Sequence, residues 1–217
     1  MARKQADSAS PDTSRSRNRL ILASASPRRL QLLEQAGIRP DDVSPTEIDE
    51  RPLDGERPIA MVRRLAREKA EAARVTDAGT FVLAADTIVA VGKRILGKAT
   101  DEAGARRHLM LLSGRKHTVI TGIALITPAG DLLVRSVTTT VTFKRLSREE
   151  LDWYIASGEW RGKAGSYAIQ GRAGAFVTGI AGSYSNVVGL PLNETVCLLE
   201  GNGYLERLRS GDSTGGV

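Results

Sequence analysis

Apolar residues recur along this chain in two rhythms, and the switches between them outline the fold. Residues 20–23 form a short continuous apolar run that predicts a buried strand. The signals then change: Ser26 suits an N-cap, Pro27 suits the first helical position, and Leu30 and Leu33 fall on one helix face. Gly37 offers a stop. A second helix is predicted over about 58–74, with Ile59, Val62, Leu65, Ala66 and Ala70 on its apolar side. Residues 81–85 read as a strand buried on both faces, ending at Asp86 and Thr87. Thr100-Asp101-Glu102 opens another helix that closes near Ser113 and Gly114. Two long β-type runs follow, 117–127 and 132–144, joined by a Pro-Ala-Gly-Asp turn. Ser147 and Glu150 form a capping box for a helix to about Ser157. The glycine-rich stretch 162–189 predicts loops and short strands, and Pro191 begins a last helix that Gly201 ends.

Helices alternate with strands, yet the middle of the chain holds an antiparallel hairpin. The pattern predicts an α/β protein with a mixed sheet rather than a purely parallel one. No internal repeat is present. The ordered domain is expected over 20–205, between a Ser-rich leader (1–19) expected to be disordered and a flexible tail (206–217).

Composition narrows the picture. The chain has 217 residues, 41% hydrophobic but only 4% aromatic, so its core must be built mainly from Val, Ile, Leu and Ala. No run approaches the ~18 uninterrupted apolar residues of a membrane span, and no apolar stretch follows the N-terminus as a secretory signal would require. The single cysteine, Cys197, cannot form an internal disulfide, which fits a reducing compartment; a cytoplasmic location is expected. Its apolar surroundings predict a buried, inert thiol. The net charge of +6 invites a nucleic-acid reading, but Arg3, Lys4, Arg15, Arg17 and Arg19 against Asp7 and Asp12 place half of it, +3, on the leader. With no basic run and no aromatic-bearing binding motif elsewhere, neither nucleic acid nor membrane is an expected partner.

Candidate chemistry starts at Ser24 to Arg29. A strand that passes through two serines into a helix N-terminus presents free N–H groups and a positive dipole end. Arg28 and Arg29 add guanidinium forks that suit phosphate, although an ordinary capped helix with two surface arginines has the same spacing. Asp86 ends a buried strand, where α/β proteins bind ligands; it could hold a divalent cation, accept a proton from water, or close a turn. Glu47, Asp49 and Glu50 offer carboxylates that would suit Mg²⁺ or Mn²⁺, or merely a solvated loop. Lys69 and Lys98 could each reach a polyphosphate. No G-x-x-x-x-G-K-[ST], G-x-G-x-x-G or G-x-S-x-G sequence occurs, which removes the P-loop, dinucleotide and hydrolase-elbow readings. His108 and His117 with one cysteine do not make a zinc site and read as structural, and Trp153 and Trp160 read as packing residues.

Taken in order, these segments resemble the Maf family. Its opening S-x-S-P-R-R and paired leucine are met by Ser24, Ser26, Pro27, Arg28, Arg29, Leu32 and Leu33. R-E-K-A appears at 67–70, A-D-T at 85–87, the central strand entry at Ser113, Gly114, His117, Val119 and Thr121, and G-S-Y-A-I-Q-G at 165–171, with 182–195 completing the set. The resemblance implies a two-lobed mixed α/β fold with a central cleft, similar to inosine-triphosphate pyrophosphatases, and a homodimer. It implies a nucleoside-triphosphate pyrophosphatase that uses Mg²⁺ or Mn²⁺. Asp86 would be the proton acceptor, Arg28, Thr87 and Gln170 the base-selecting positions of the dTTP/UTP branch, and Glu47 with Asp86 the metal ligands. Ser24, Ser26, Arg29, Lys69 and Lys98 would bind phosphate. Where this branch carries Arg, Thr and Gln, the branch acting on 7-methyl-GTP carries Trp, Gln and Glu. Ala99 departs from the family, in which proline is expected after the lysine. The family's association with septum formation implies an alternative, a nucleotide-binding regulator of cell division with little turnover; the intact Asp86 favours catalysis.

Overall fold

A computed structural model of the chain describes residues 18–75 and 77–205. The expected tail and residues 1–17 of the expected leader lie outside the described residues. Asn18 and Arg19 belong to the fold: Arg19 opens the first strand, and Asn18 Nδ2 donates to Gly203 O at 3.2 Å.

The elements run β1 (Arg19–Ala23), α1 (Pro27–Gln35), β2 (Asp42–Val43), α2 (Pro58–Ala72), β3 (Thr80–Val91), β4 (Arg94–Leu96), α3 (Glu102–Leu112), β5 (Lys116–Ile126), β6 (Leu132–Phe143), α4 (Arg148–Ala156), a 3₁₀ turn (Arg172–Phe176), β7 (Val177–Ala181), α5 (Tyr184–Val188) and α6 (Leu192–Gly201). One seven-stranded sheet has the order β2-β1-β3-β5-β6-β7, with β4 also paired to β3. β1 lies parallel to β2 and β3, whereas β4, β5, β6 and β7 join antiparallel, so the sheet is mixed. No helix among the described residues is long and apolar enough to cross a membrane.

β3 is the spine. The sequence pattern ends this strand at Asp86; the structure carries it on to Val91, because β5 pairs with it from Val82 to Ala90. Its other edge is shared by two short strands. β1 covers it as far as Ala84, and β4 covers it again only from Val89. Residues 85–88 thus lie on an edge between two partners and paired to neither, and that gap is where the cleft opens.

The two faces are covered unequally. Among the described residues α2 is the one helix on the first, burying Val62, Leu65, Ala66 and Ala70 against Val82, Ala84, Ile88 and Ile120. The other face carries the main core, to which α1, α3, α4, α5 and α6 contribute Leu33, Leu109, Tyr154, Val188 and Leu199. α2 lies so close that a Cβ on Gly122 would meet Val62 O at 2.1 Å. Gly122 faces Asp86 in the β3–β5 register, so this close approach also sets the height of α2 above the site.

Three surface details depart from the sequence pattern. Cys197 is exposed, because α6 turns Thr195, Leu198 and Leu199 inward and leaves position 197 on the opposite side. Ile59 is 48% exposed on the first turn of α2, where Met61 is buried in its place. Trp153 is 47% exposed, lying edge-on to Phe176 with the Arg172 guanidinium over its ring, while Trp160 is fully buried and donates Nε1–H to Ile155 O. The glycine-rich stretch also contains a short helix, α5, which the pattern does not predict. Ser183 caps it, accepting from Asn186 N at 3.2 Å.

Both histidines are structural. His117 is 2% exposed, stacks edge-on against Phe143 and Tyr167, and shares a 2.8 Å hydrogen bond between Nε2 and Tyr167 Oη. Burial pushes its pKa down to about 4. The unfolded chain therefore takes up this proton first; the associated stability is fully present above about pH 6.5 and is lost as pH falls toward the folded value.

Two outcomes follow for stability. Gly122→Ala should force α2 off the sheet and cost about 3 kcal/mol, whereas Gly201→Ala, whose Cβ meets nothing within 4 Å, should be neutral or slightly stabilising. Urea midpoints check both, and equal midpoints for the two variants would contradict the packing argument. Between pH 7 and pH 5 the wild type should lose roughly 2 kcal/mol more stability than His117→Gln does. Parallel losses would mean that His117 titrates normally.

Candidate active site

The cleft at the open edge of β3 is a cavity of about 290 Å³, walled by the β1–α1 turn, β3, the 162–170 segment and the end of α5. Alternation along β3 sends neighbouring side chains to opposite faces, and the site uses both. Asp86 points to the α2 side, where it is 7% exposed and its Oδ1 accepts from Lys69 Nζ at 2.5 Å. Thr87 points to the α5 side, sharing a 2.9 Å hydrogen bond with Thr121 Oγ1 and accepting from Arg29 Nη2 at 3.2 Å.

Lys69 is a charge on the buried face of α2, at the same helical register as Leu65 and Ala66. A bare ammonium there would be costly, and it is held by two carboxylates. Besides Asp86, it donates to Glu50 Oε1 at 2.7 Å, and Lys98 donates to Glu50 Oε2 at 2.8 Å. The result is an ion chain of alternating sign, Asp86–Lys69–Glu50–Lys98. Partial burial works to raise the Glu50 pKa, but the two ammonium groups outweigh it and hold the carboxyl at about 2. Glu50 is the member of the 47–50 acidic run that lines the cavity; Glu47 is exposed and does not line it. What separates the two is contact distant in sequence, since Lys69 and Lys98 hold Glu50. Spacing alone does not carry that distinction. Lys98 is seated by a backbone bridge to Ala164, so its position does not depend on a proline at 99.

On the opposite side the β1–α1 turn is drawn tight. Ser26 occupies the N-cap position of α1, but its side chain makes no capping bond; instead Ser26 N donates to Ser24 Oγ at 3.2 Å. Ser24, 5% exposed, also accepts from Arg29 Nη1 at 2.9 Å. Arg29 reaches Gly189 O through Nε at 2.9 Å, so three of the five N–H donors on its fork are engaged. Burial presses the Arg29 pKa down, Asp86 offsetting part of this and Arg28 adding to it. Arg28 is half-buried, donates Nε–H to Val188 O at 3.3 Å, and has its pKa lowered by burial. Gln170 lines the cavity from the far wall and is exposed. Of the sequence candidates, the fold brings Ser24, Ser26, Arg28, Arg29, Glu50, Lys69, Asp86, Thr87, Lys98 and Gln170 to one cavity and leaves Glu47 and Asp49 outside.

Asp86 and Glu50 are the carboxylates that line the cavity among the described residues. Among the described residues no cluster of three or more metal-binding side chains exists. That donor set fits a hard cation of the Mg²⁺ kind, which takes one or two protein carboxylates and completes its shell with water and substrate phosphates.

Known proteins bear on this arrangement. A curated protein from Mesorhizobium japonicum is 58% identical over 192 residues, 86% of this chain and 92% of its own length; one from Chelativorans sp. is 60% identical over the same shares. One from Caulobacter vibrioides is 59% identical over 185 residues, 85% of this chain and 96% of its own length. All three are named dTTP/UTP pyrophosphatase. Among solved structures, a HAM1 protein from Coxiella burnetii superposes with TM-score 0.47 at 17% identity, covering 84% of this chain and 98% of its own. A nucleoside-triphosphatase (dITP/XTP pyrophosphatase) from Mycobacterium abscessus does so with TM-score 0.40 at 18%, covering 91% and 100%. Residues 19–202, all of the sheet and every helix named above, match the Maf-like protein family, and the chain belongs to it.

Proposed function

We propose that this protein hydrolyses dTTP and UTP to the monophosphate and pyrophosphate by water attack at the α-phosphorus. The ion chain Asp86–Lys69–Glu50–Lys98 carries the reading, since it opens on the same cavity as Arg28, Thr87 and Gln170. Relatives at 58–60% identity named dTTP/UTP pyrophosphatase support it.

The two faces of β3 divide the work. On the α2 side, Asp86 orients the water and takes its proton as the new oxygen–phosphorus bond forms. The bond between the α-phosphorus and the bridging oxygen breaks, and pyrophosphate leaves with that electron pair. Lys69 spends two of its three N–H donors on Asp86 and Glu50, leaving the third for a phosphate oxygen. Drawing Lys69 toward the phosphates loosens its hold on Asp86, which favours proton transfer when substrate is in place. Lys98, Arg29 and the Ser24–Ser26 turn surround the phosphates with further donors. Mg²⁺ or Mn²⁺, when bound, neutralises charge on the triphosphate and on the departing pyrophosphate. Asp86 and Glu50 are the side chains to hold it, in place of the Asp86 and Glu47 expected from the sequence. On the other face, Thr87 and Gln170 exchange hydrogen bonds with the pyrimidine edge and Arg28 flanks it. A polar pocket of this kind discriminates by leaving its groups unpaired against a mismatched base.

Pyrophosphate release from dTTP, UTP, CTP, 7-methyl-GTP and ITP, with Mg²⁺ or Mn²⁺, tests the proposal. Wild type should turn over dTTP and UTP, and Asp86→Asn should lower kcat by about 10²–10⁴-fold. Turnover of a different base would keep the reaction and overturn the roles of Arg28, Thr87 and Gln170. No metal-dependent turnover of any triphosphate would overturn the activity itself.

A further inference from the structure

One cation on the far wall of the cavity has no part in the chemistry above. Lys163 is half-buried and lines the same cavity as Arg28, Asp86 and Lys98. The other cations there are tied down: Lys69 and Lys98 by Glu50 and Asp86, Arg29 by Ser24, Thr87 and Gly189, and Arg28 through Val188 O. Lys163 Nζ has only the carbonyl of Arg161, two residues away at 3.3 Å, and among the described residues it makes no ion pair.

The backbone beneath it is fixed. Lys163 N donates to Trp160 O at 3.3 Å, Ala164 bridges to Lys98, and Gly165 N donates to Leu96 O at 2.9 Å. Gly165 has φ +66, and a Cβ there would sit 2.9 Å from the Val89 side chain, so the segment presses on β3 beside the site. Next in line, Ser166 Oγ hydrogen-bonds His108 Nδ1 at 2.8 Å, Tyr167 Oη hydrogen-bonds His117 Nε2 at 2.8 Å, and Ala168 N donates to Tyr154 Oη at 3.2 Å. A long cationic stem is thus mounted on a rigid wall, with its head uncommitted.

Charge selects what that head is for. Five cations and two carboxylates line the cavity, a formal excess of three positive charges. Burial lowers the Lys163 pKa, the neighbouring Arg28 charge lowers it further, and Glu159 offsets part of this. A neutral base carbonyl would accept one N–H but leave the like charges of Arg28 and Lys163 facing each other. An anion taken up by Lys163 offsets its charge and so lessens that repulsion. We propose that Lys163 is a further substrate-binding residue, contacting the phosphate chain of the nucleoside triphosphate from the wall across the cleft from Lys69 and Asp86. The inference rests on the pyrophosphatase reading above.

Lys163→Met and Lys163→Arg, compared with wild type at equal Tm, test it with dTTP and Mg²⁺. Loss of a charge-assisted contact made equally in ground and transition states should raise KM by about 10-fold or more while kcat stays within about 3-fold. Inhibition by inorganic pyrophosphate should weaken by a similar factor, and Lys163→Arg should recover most of the loss. An unchanged KM for Lys163→Met in an active enzyme overturns the role of Lys163 and leaves the activity standing. A changed preference between dTTP and CTP with unchanged pyrophosphate inhibition also overturns it, since that is the signature of a base contact. If wild type turns over no triphosphate, the activity is what fails. Calorimetric binding of dTTP then decides Lys163 on its own: weaker binding by Lys163→Met supports the contact, and equal affinity overturns it.

Discussion

A buried ion pair stands where the sheet is least supported. Lys69 and Asp86 are each about a tenth exposed, and they meet over a stretch of β3 that neither β1 nor β4 covers. Removing two charges from water costs several kcal/mol apiece, and an ion pair in such a place recovers that only with good geometry and further partners. Glu50 supplies the further partner for Lys69, and Lys98 in turn balances Glu50. An apolar pair would fill the same space at lower cost. The charges therefore mark a position where stability has been given up, as the base and movable cation of the proposed reaction would require.

The rest of the fold can be read as what holds that pair in register. Among the described residues α2 is the only helix on its face of the sheet, and the small residues Ala66, Ala70 and Gly122 let it come close enough for Lys69 to reach across to β3. On the opposite face Arg29 fastens the β1–α1 turn to the end of α5 and to Thr87. Two neighbouring residues of one strand thus serve separate compartments, and strand pleating provides the division without any loop to order.

This arrangement explains which parts were legible in the sequence. Helices α1, α2, α3, α4 and α6 and the β5–β6 hairpin follow from apolar periodicity and capping residues, since packing and local preference agree there. β4 and α5 are too short to have a period, and both exist because of contacts distant in sequence: β4 pairs back on β3, and α5 is bound through Asn186 to Val119 O and Thr139 Oγ1. The end of β3 was misplaced for a related reason. Asp86 reads locally as a terminator, but nine consecutive pairs with β5 keep the strand going. Lys69 stands at a register where α2 buries everything else, so apolar periodicity carries a signal for it that spacing from Lys98 does not. Choosing Glu50 over Glu47 needed the path of the loop that carries them, and that path is set by Lys69 and Lys98 rather than by neighbouring residues.

The two walls of the cleft differ in a way that bears on how it handles charge. On the α2 side each cation has a carboxylate, so the site is close to neutral before any ligand arrives. On the side of α1 and the 162–170 segment, Arg28, Arg29 and Lys163 have neutral oxygens as partners and, among the described residues, no carboxylate in hydrogen-bond contact. On the proposed reading, a triphosphate entering the cleft is drawn toward the unbalanced wall first, while on the balanced wall Asp86 stays paired with Lys69. On that same reading, attraction and catalysis are separated in space, and substrate charge becomes the means by which Lys69 is pulled away from Asp86.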